Sequence, residues 1–173
     1  MSVFPQIPAG RRITDALLES MLPLEVIKTV TETVTNATTG ATYQDDNELF
    51  LPGEANGVYR FKLFLLHSAG TTGKFRMRFS APSGAAVTWG VHSTHVNITS
   101  STTVADMSNP SRVLSDDQQM GGGDLTGTTA FIMGTLIMGS TAGNLMLQWA
   151  QITANAAATQ VRAGSWLTMK RVS

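Results

Sequence analysis

The sequence contains no cysteine among its 173 residues, which excludes disulfide cross-links, thiolate zinc sites and a cysteine nucleophile. Neither charge is in excess, because 12 basic side chains balance 12 acidic ones, so we expect no nucleic-acid partner and no acidic tail. Charged residues are also few, at 14% of the chain against about 25% in an average soluble domain. Such a surface suits a protein whose faces are covered by copies of itself or by a larger assembly.

Long hydrophobic runs are missing as well. No segment approaches the roughly 20 apolar residues of a membrane-spanning helix, so no membrane partner is expected. The first nine residues, MSVFPQIPA, lack the basic start and apolar block of a signal peptide. We therefore expect one domain, made in the cytoplasm and long enough to bury a full core.

The first 23 residues predict an extended arm followed by one short helix. Two prolines interrupt the arm, Thr14 can cap the helix, and helix formers run from Asp15 until Pro23 ends the pattern after about two turns. The apolar positions cover more than half of the helix circumference; they are Ile13, Leu17, Leu18, Met21 and Leu22. This wide face fits either a helix that caps one end of the β domain or a helix that docks on another protein.

From Leu24 onward the apolar residues alternate with a period of two, which predicts an all-β domain of eight or nine antiparallel strands, folded as a sandwich or barrel. The strand from Val58 to His67 carries Phe64 and Leu66 on its second face, which predicts burial on both faces in its second half. The segment 97–123 is polar and glycine-rich and predicts long loops with one or two short strands. The predicted strands span 25–35, 48–52, 58–67, 74–80, 86–91, 112–114, 128–138, 145–152 and 166–172.

Residues that could carry out catalysis or bind a metal form no convincing set. A strand sends the rings of His92 and His95 to opposite faces, so no metal site is expected. The acidic pairs Asp45–Asp46 and Asp116–Asp117 read as turn residues that cap backbone amides. A basic row of Lys74, Arg76 and Arg78 could meet phosphate or an acidic partner, but a solvated strand face is the simpler interpretation. We therefore expect no catalytic, cofactor or metal-binding residue, and no enzyme.

Three groups of motifs carry a family resemblance. GNLMLQWAQ at 143–151, followed by VRAGSWL at 161–167, resembles the last two strands of the jelly-roll domains related to tumour necrosis factor and to the globular heads of complement and collagen. PAGRRIT at 8–14, and DNELFLP at 46–52 with ANGVYRF at 55–61, are similar to segments of small virion structural proteins from phages of actinobacteria. The resemblance covers the whole chain, most weakly between 97 and 123, and it rests on the order of the motifs.

The resemblance implies an antiparallel jelly-roll sandwich over residues 24–173, assembled as a homotrimer on the virion surface. Residues 1–23 would fasten it to the major capsid or tail protein; the implied anchor residues are Phe4, Ile7, Ile13, Leu17, Leu18, Met21 and Leu22. Trp149, Trp166 and Met169 on the closing strands would serve the trimer interface. No collagen-like or coiled-coil stalk is present, so a compact decoration protein or short spike is expected rather than a fibre.

A second hypothesis is a module that binds carbohydrate on the host surface. Trp89, Trp149 and Trp166 are the candidates for stacking on sugar rings, although tryptophans between apolar neighbours also fit a core or a subunit interface.

Overall fold

The structure, a computed structural model, describes residues 9–10, 12–14, 22–35, 42–93, 111–121 and 127–173. These residues form twelve β-strands and no helix, so the all-β prediction is confirmed. The strands are β1 (Leu24–Ile27), β2 (Glu32–Val34), β3 (Gln44–Gly53), β4 (Val58–Ser68), β5 (Phe75–Ser80), β6 (Ala86–His92), β7 (Arg112–Val113), β8 (Gln118–Met120), β9 (Thr128–Ile137), β10 (Gly143–Ala150), β11 (Thr159–Val161) and β12 (Trp166–Arg171).

The strands pair into two antiparallel sheets, as expected for a β-sandwich. The larger sheet has eight strands in the order β1-β12-β4-β9-β6-β7, with β11 pairing both β4 and β2 beside this path. The smaller sheet has four strands in the order β3-β10-β5-β8.

The eight central strands pair in a nested pattern. β3 pairs β10, β4 pairs β9, β5 pairs β8 and β6 pairs β7, so each pair encloses the next along the chain. Two further pairings, β10 with β5 and β9 with β6, join the nested pairs into the two sheets. The chain from β3 to β10 is therefore one long antiparallel hairpin, with its strands distributed between two layers.

Aromatic side chains hold the two layers together. Phe61 of the larger sheet meets Phe79 of the smaller one edge to face, with ring centroids 5.0 Å apart, and Phe79 meets Trp89 at 5.3 Å. Within the smaller sheet, Phe75 of β5 stacks on Trp149 of β10 with ring centroids 5.9 Å apart. All five side chains are almost fully buried, because the period-two alternation of their strands turns them inward.

Gly134 lies on β9 between Phe61 and Trp89, its partners on the two neighbouring strands. A Cβ atom there would collide with the Phe61 ring and lie 2.6 Å from the carbonyl oxygen of Thr88. The glycine thus permits the close approach that its place in a strand pattern predicts.

The structure corrects two details of the strand prediction. Residues 25–35 were expected to form one strand, but they form β1 and β2, which are separated at Lys28–Thr31 and pair with β12 and β11. The number of strands exceeds the predicted eight or nine because β2, β8 and β11 each have only three residues and leave little alternation to detect. The helix predicted before Pro23 is not borne out: Thr14 and Leu22 are not helical, and residues 15–21 lie outside the described part of the chain.

Asp45 and Asp46 are not turn residues as predicted, since both lie in β3. Asp46 is buried, and its Oδ1 accepts hydrogen bonds from the backbone N–H groups of Glu48 and Leu49 at 3.1 and 2.8 Å. Backbone capping by this carboxylate was thus predicted correctly, but inside a strand. Asp116 caps the amide of Val113 at 2.8 Å in the turn after β7, as its sequence indicated.

Candidate functional site

The outer face of the larger sheet carries a row of apolar and aromatic side chains, which we call the aromatic row. Ile27, Trp166, Phe64, Phe131 and His92 are successive cross-strand partners on β1, β12, β4, β9 and β6. Their strand neighbours point into the core, so alternation turns these five outward. At about 4.8 Å per strand, the row extends roughly 19 Å across the sheet.

The rings of the aromatic row contact one another but remain open to water. Phe64 stacks on Trp166 with centroids 5.9 Å apart and an interplanar angle of 28°, and it meets Phe131 at 5.0 Å. Phe131 is 46% exposed and Ile27 is 55% exposed. The row is therefore pre-ordered by its own ring contacts and available to a partner.

Other apolar side chains enlarge this surface along β9. Met133 and Ile137 follow Phe131 on the same outward face and are 48% and 50% exposed. Large contiguous apolar surface is uncommon on a monomeric soluble protein and usually marks an interaction site. The outer face of the larger sheet is therefore the candidate functional site.

The predicted trimer residues separate into two environments. Trp149 and Met169 are buried inside this chain, at 0% and 1% exposure, so their side chains cannot reach a second copy in this conformation. Trp166 is partly exposed and belongs to the aromatic row. Trp89, a candidate for sugar stacking, is also buried, and its indole N–H donates to the carbonyl oxygen of Val113 at 3.1 Å.

The predicted anchor residues are mostly outside the described part of the chain, namely Phe4, Ile7, Leu17, Leu18 and Met21. The two that are described, Ile13 and Leu22, are 60% and 67% exposed.

Sequence reasoning did not identify Ile27, Phe64, Phe131 and Met133 as interaction residues. A signal was present, because Ala130-Phe131-Ile132-Met133 is apolar on both faces of its strand, as are the positions around Phe64. A strand that is apolar on both faces is typically buried on both faces. In β9, however, only the inner face is covered.

The basic row of the smaller sheet is not simply solvated, which corrects the simpler interpretation. The guanidinium carbons of Arg76 and Arg78 lie 4.7 and 4.1 Å from the centre of the Tyr43 ring, and the Tyr43 hydroxyl donates to Asp117 at 2.7 Å. Burial, with this hydrogen bond, raises the pKa of Tyr43. Lys74 precedes β5 with a positive φ of 51° and does not belong to the row.

The histidines form no metal site in the described residues, which also contain no other cluster of potential metal ligands. His67 is enclosed in the core, where its ring lies 4.7 Å from that of Phe75 and its Nε2 is 3.2 Å from the Thr128 hydroxyl. Burial lowers the pKa of His67 to about 4, so the ring is neutral at pH 7. His92 ends the aromatic row, and His95 lies outside the described residues.

A search of the described residues for a helix able to cross a membrane found none. Comparisons with protein-family models and with curated proteins gave no match to this chain.

Proposed function

We propose that this chain is a non-enzymatic virion structural protein, which forms a homotrimer by burying the aromatic row between copies. The observation that carries the assembly is the exposed, pre-stacked row itself. The assignment to a virion, as a capsid or tail decoration or a short spike, rests on the sequence resemblance of residues 8–14, 46–61 and 143–167.

A jelly-roll topology is part of the proposal, and the nested pairing from β3 to β10 supports it. A jelly roll has eight strands in two antiparallel sheets, with Greek-key connections. The two sheets contain the required strands, β3-β10-β5-β8 and β4-β9-β6-β7, and the four remaining strands extend the β4 side of the larger sheet.

A second copy of the chain is the expected occupant of the row. The chain has few charged residues, so a second copy offers a surface with little charge to desolvate. Covering the exposed parts of Ile27, Phe131 and Met133 would contribute on the order of 1 kcal/mol each to the free energy of association. Obligate interfaces resemble a hydrophobic core that has been divided between subunits, and a row of stacked rings has that character.

The attachment to the particle is proposed to run through residues 1–23. Leu22 and Leu24, at the point where the chain enters β1, line an apolar pocket of about 460 Å³ together with Tyr59 and Met169. The exposed side chains of Ile13 and Leu22 remain available to the major capsid or tail protein.

Light scattering on the purified chain tests the assembly, and we expect the mass of three chains. A monomer at high concentration would overturn the trimer.

Deleting residues 1–23 should leave a folded trimer that no longer joins particles, and undiminished incorporation would refute the anchor. The copy number per virion, measured by quantitative mass spectrometry, then separates decoration (hundreds) from a tail-tip component (a handful).

The alternative proposal is recognition of a host-surface carbohydrate, and only one of the three candidate tryptophans is accessible to a sugar ring. Trp89 and Trp149 are buried, whereas Trp166 presents part of its ring beside Phe131. A glycan array with the intact protein and with Trp166→Ala tests it, since binding that survives the substitution would exclude stacking on this ring.

A further inference from the structure

A groove on the outer face of the larger sheet lies next to the aromatic row and is rich in positive charge. We call it the basic groove, and its volume is about 700 Å³. Its polar lining side chains are those of Arg60, Lys62, Thr135, Thr168 and Lys170. Arg60 and Lys62 stand on β4, Lys170 and Thr168 on β12, and Thr135 on β9. All three strands are adjacent, so one chain supplies the whole groove.

The three cations face outward for the same reason as the aromatic row. The residues between them, Phe61 and Met169, are buried in the core, and alternation places Arg60, Lys62 and Lys170 on the opposite face, where all three are exposed. Arg60 and Lys170 are direct cross-strand partners. Like charges directly opposite each other destabilise a sheet, so this arrangement does not serve the fold of the chain.

No carboxylate neutralises these cations within the described residues. The ion pairs among the described residues involve the cations Lys28, Arg76 and Arg171, and none of these three residues lines the basic groove. On the described strands of the outer face, the nearest carboxylate is that of Glu25, which lies opposite Thr168 and is therefore a diagonal neighbour of Lys170, about 7–8 Å away. Glu25 forms no ion pair with any of the three cations. In a chain with so few charges, three unpaired cations around one depression favour an anionic ligand.

We propose that the basic groove binds a tetrahedral oxyanion, either a phosphate or a sulfate group. The planar guanidinium of Arg60 offers paired N–H donors that match two oxygens of such a group, and Lys62 and Lys170 add ammonium donors. The hydroxyls of Thr135 and Thr168 can donate to the remaining oxygens. The site goes beyond the proposed structural role, and one chain supplies all five of its polar side chains.

The oxyanion can come from two sources, a free ion or a group carried by a polysaccharide. The groove opens beside Met133, which belongs to the apolar surface that includes Phe131, so a sugar that carries the anion would find a surface for its ring. Isothermal titration calorimetry at low ionic strength, with inorganic phosphate in one series and dextran sulfate in the other, separates the two.

The critical variant is Lys170→Gln, with Lys74→Gln as its matched control. Both remove one positive charge, but Lys74 lies before β5 at the smaller sheet and does not line the groove. We expect Lys170→Gln, and separately Arg60→Gln, to weaken binding about tenfold or more, while Lys74→Gln binds like the unchanged protein. Circular dichroism establishes that each variant is folded.

If the protein binds inorganic phosphate and Lys170→Gln abolishes this binding, the groove is a site for a free ion. If the protein binds only dextran sulfate and Lys170→Gln abolishes that binding, the anion is a group on a polysaccharide. Equal weakening by Lys74→Gln, or no binding of either probe, would overturn the proposal. Met133 belongs both to the groove and to the surface that the trimer would bury, so light scattering on the titrated samples separates a change of assembly from a loss of binding.

Discussion

Lys28 and Asp46 form an ion pair in which both side chains are fully buried, with Nζ and Oδ1 2.9 Å apart. Lys28 lies between β1 and β2 of the larger sheet and Asp46 lies in β3 of the smaller one, so the pair ties the two layers together. Burial alone would lower the pKa of Lys28, but hydrogen bonds to Glu32 and Asp46 and the charges of both outweigh it, and the pKa is raised. The lysine is thus charged inside the protein.

Lys28→Met should destabilise the protein by about 3–5 kcal/mol, because it leaves the Asp46 carboxylate buried without its counter-charge. The double variant Lys28→Met/Asp46→Asn should recover part of this loss, since it removes the uncompensated charge as well. Urea unfolding followed by circular dichroism measures the free energies.

The matched control is Arg171→Gln, which breaks the pair between Arg171 and Glu54, whose carboxylate side chain is 75% exposed. Exposed pairs contribute about 0–1 kcal/mol, so this variant should unfold almost like the unchanged protein. If Lys28→Met cost no more than Arg171→Gln, the Lys28 pair could not be buried in solution.

The stability of the protein should fall as the pH decreases from about 6.5 to about 4 because of His67. The pKa of His67 is lowered to about 4 by burial, from an ordinary value of 6.5. In that window the unfolded chain binds a proton that the folded chain excludes, so acid favours unfolding, by about 3 kcal/mol in total. Below the folded pKa both states are protonated and this contribution stops changing.

His67→Leu removes this titration and should flatten the stability profile between pH 6.5 and pH 4, whatever its effect at pH 7. The unchanged protein, measured in parallel, should show the full slope. Urea midpoints at half-unit pH intervals measure both profiles; a slope that persists in His67→Leu would assign the acid sensitivity to other groups.

Most of the strands were predictable because alternation and turn residues define them locally. The predicted 58–67, 128–138 and 166–172 differ from β4, β9 and β12 by a residue or less at each end. The break at Lys28 was not predictable, because a lysine in a period-two pattern is expected to face water. Its burial depends on Glu32, four residues further on, and on Asp46 and Glu48 of β3, which reach it only because the two sheets pack together.

The candidate site was predictable only in part for the same reason. Trp166 was identified from the sequence motif at 161–167, but its partners Phe64 and Phe131 come from strands far apart in the chain. Register across a sheet is a tertiary property, so a sequence can show that Phe131 faces outward without showing which rings stand beside it.

Trp149→Ala and Trp166→Ala should have different effects, because the two tryptophans occupy different environments. Trp149 is fully buried and stacked on Phe75, so its truncation should cost about 3–5 kcal/mol of stability. Trp166 is partly exposed, so its truncation should cost clearly less and act mainly on assembly. Thermal unfolding and light scattering together measure this contrast, and equal loss of stability would contradict the burial assigned to each ring.

Phe131→Glu should shift the protein from trimer to monomer while leaving the β domain folded. Phe131 is 46% exposed and points away from the core, so a carboxylate at this position stays hydrated in the monomer. In an assembled trimer the same charge would be buried without a partner at the aromatic row, which costs several kcal/mol per subunit. Light scattering and sedimentation velocity over a range of concentrations measure the shift, and Met133→Glu should reproduce it.

Phe50→Glu is the matched control, because Phe50 is 38% exposed on β3 of the other sheet and lies on no proposed interface. This variant carries the same substitution on a comparable surface and should remain trimeric. A trimer that survives both Phe131→Glu and Met133→Glu must be held by another surface. If Phe50→Glu alone dissociated it, the interface would lie on the smaller sheet.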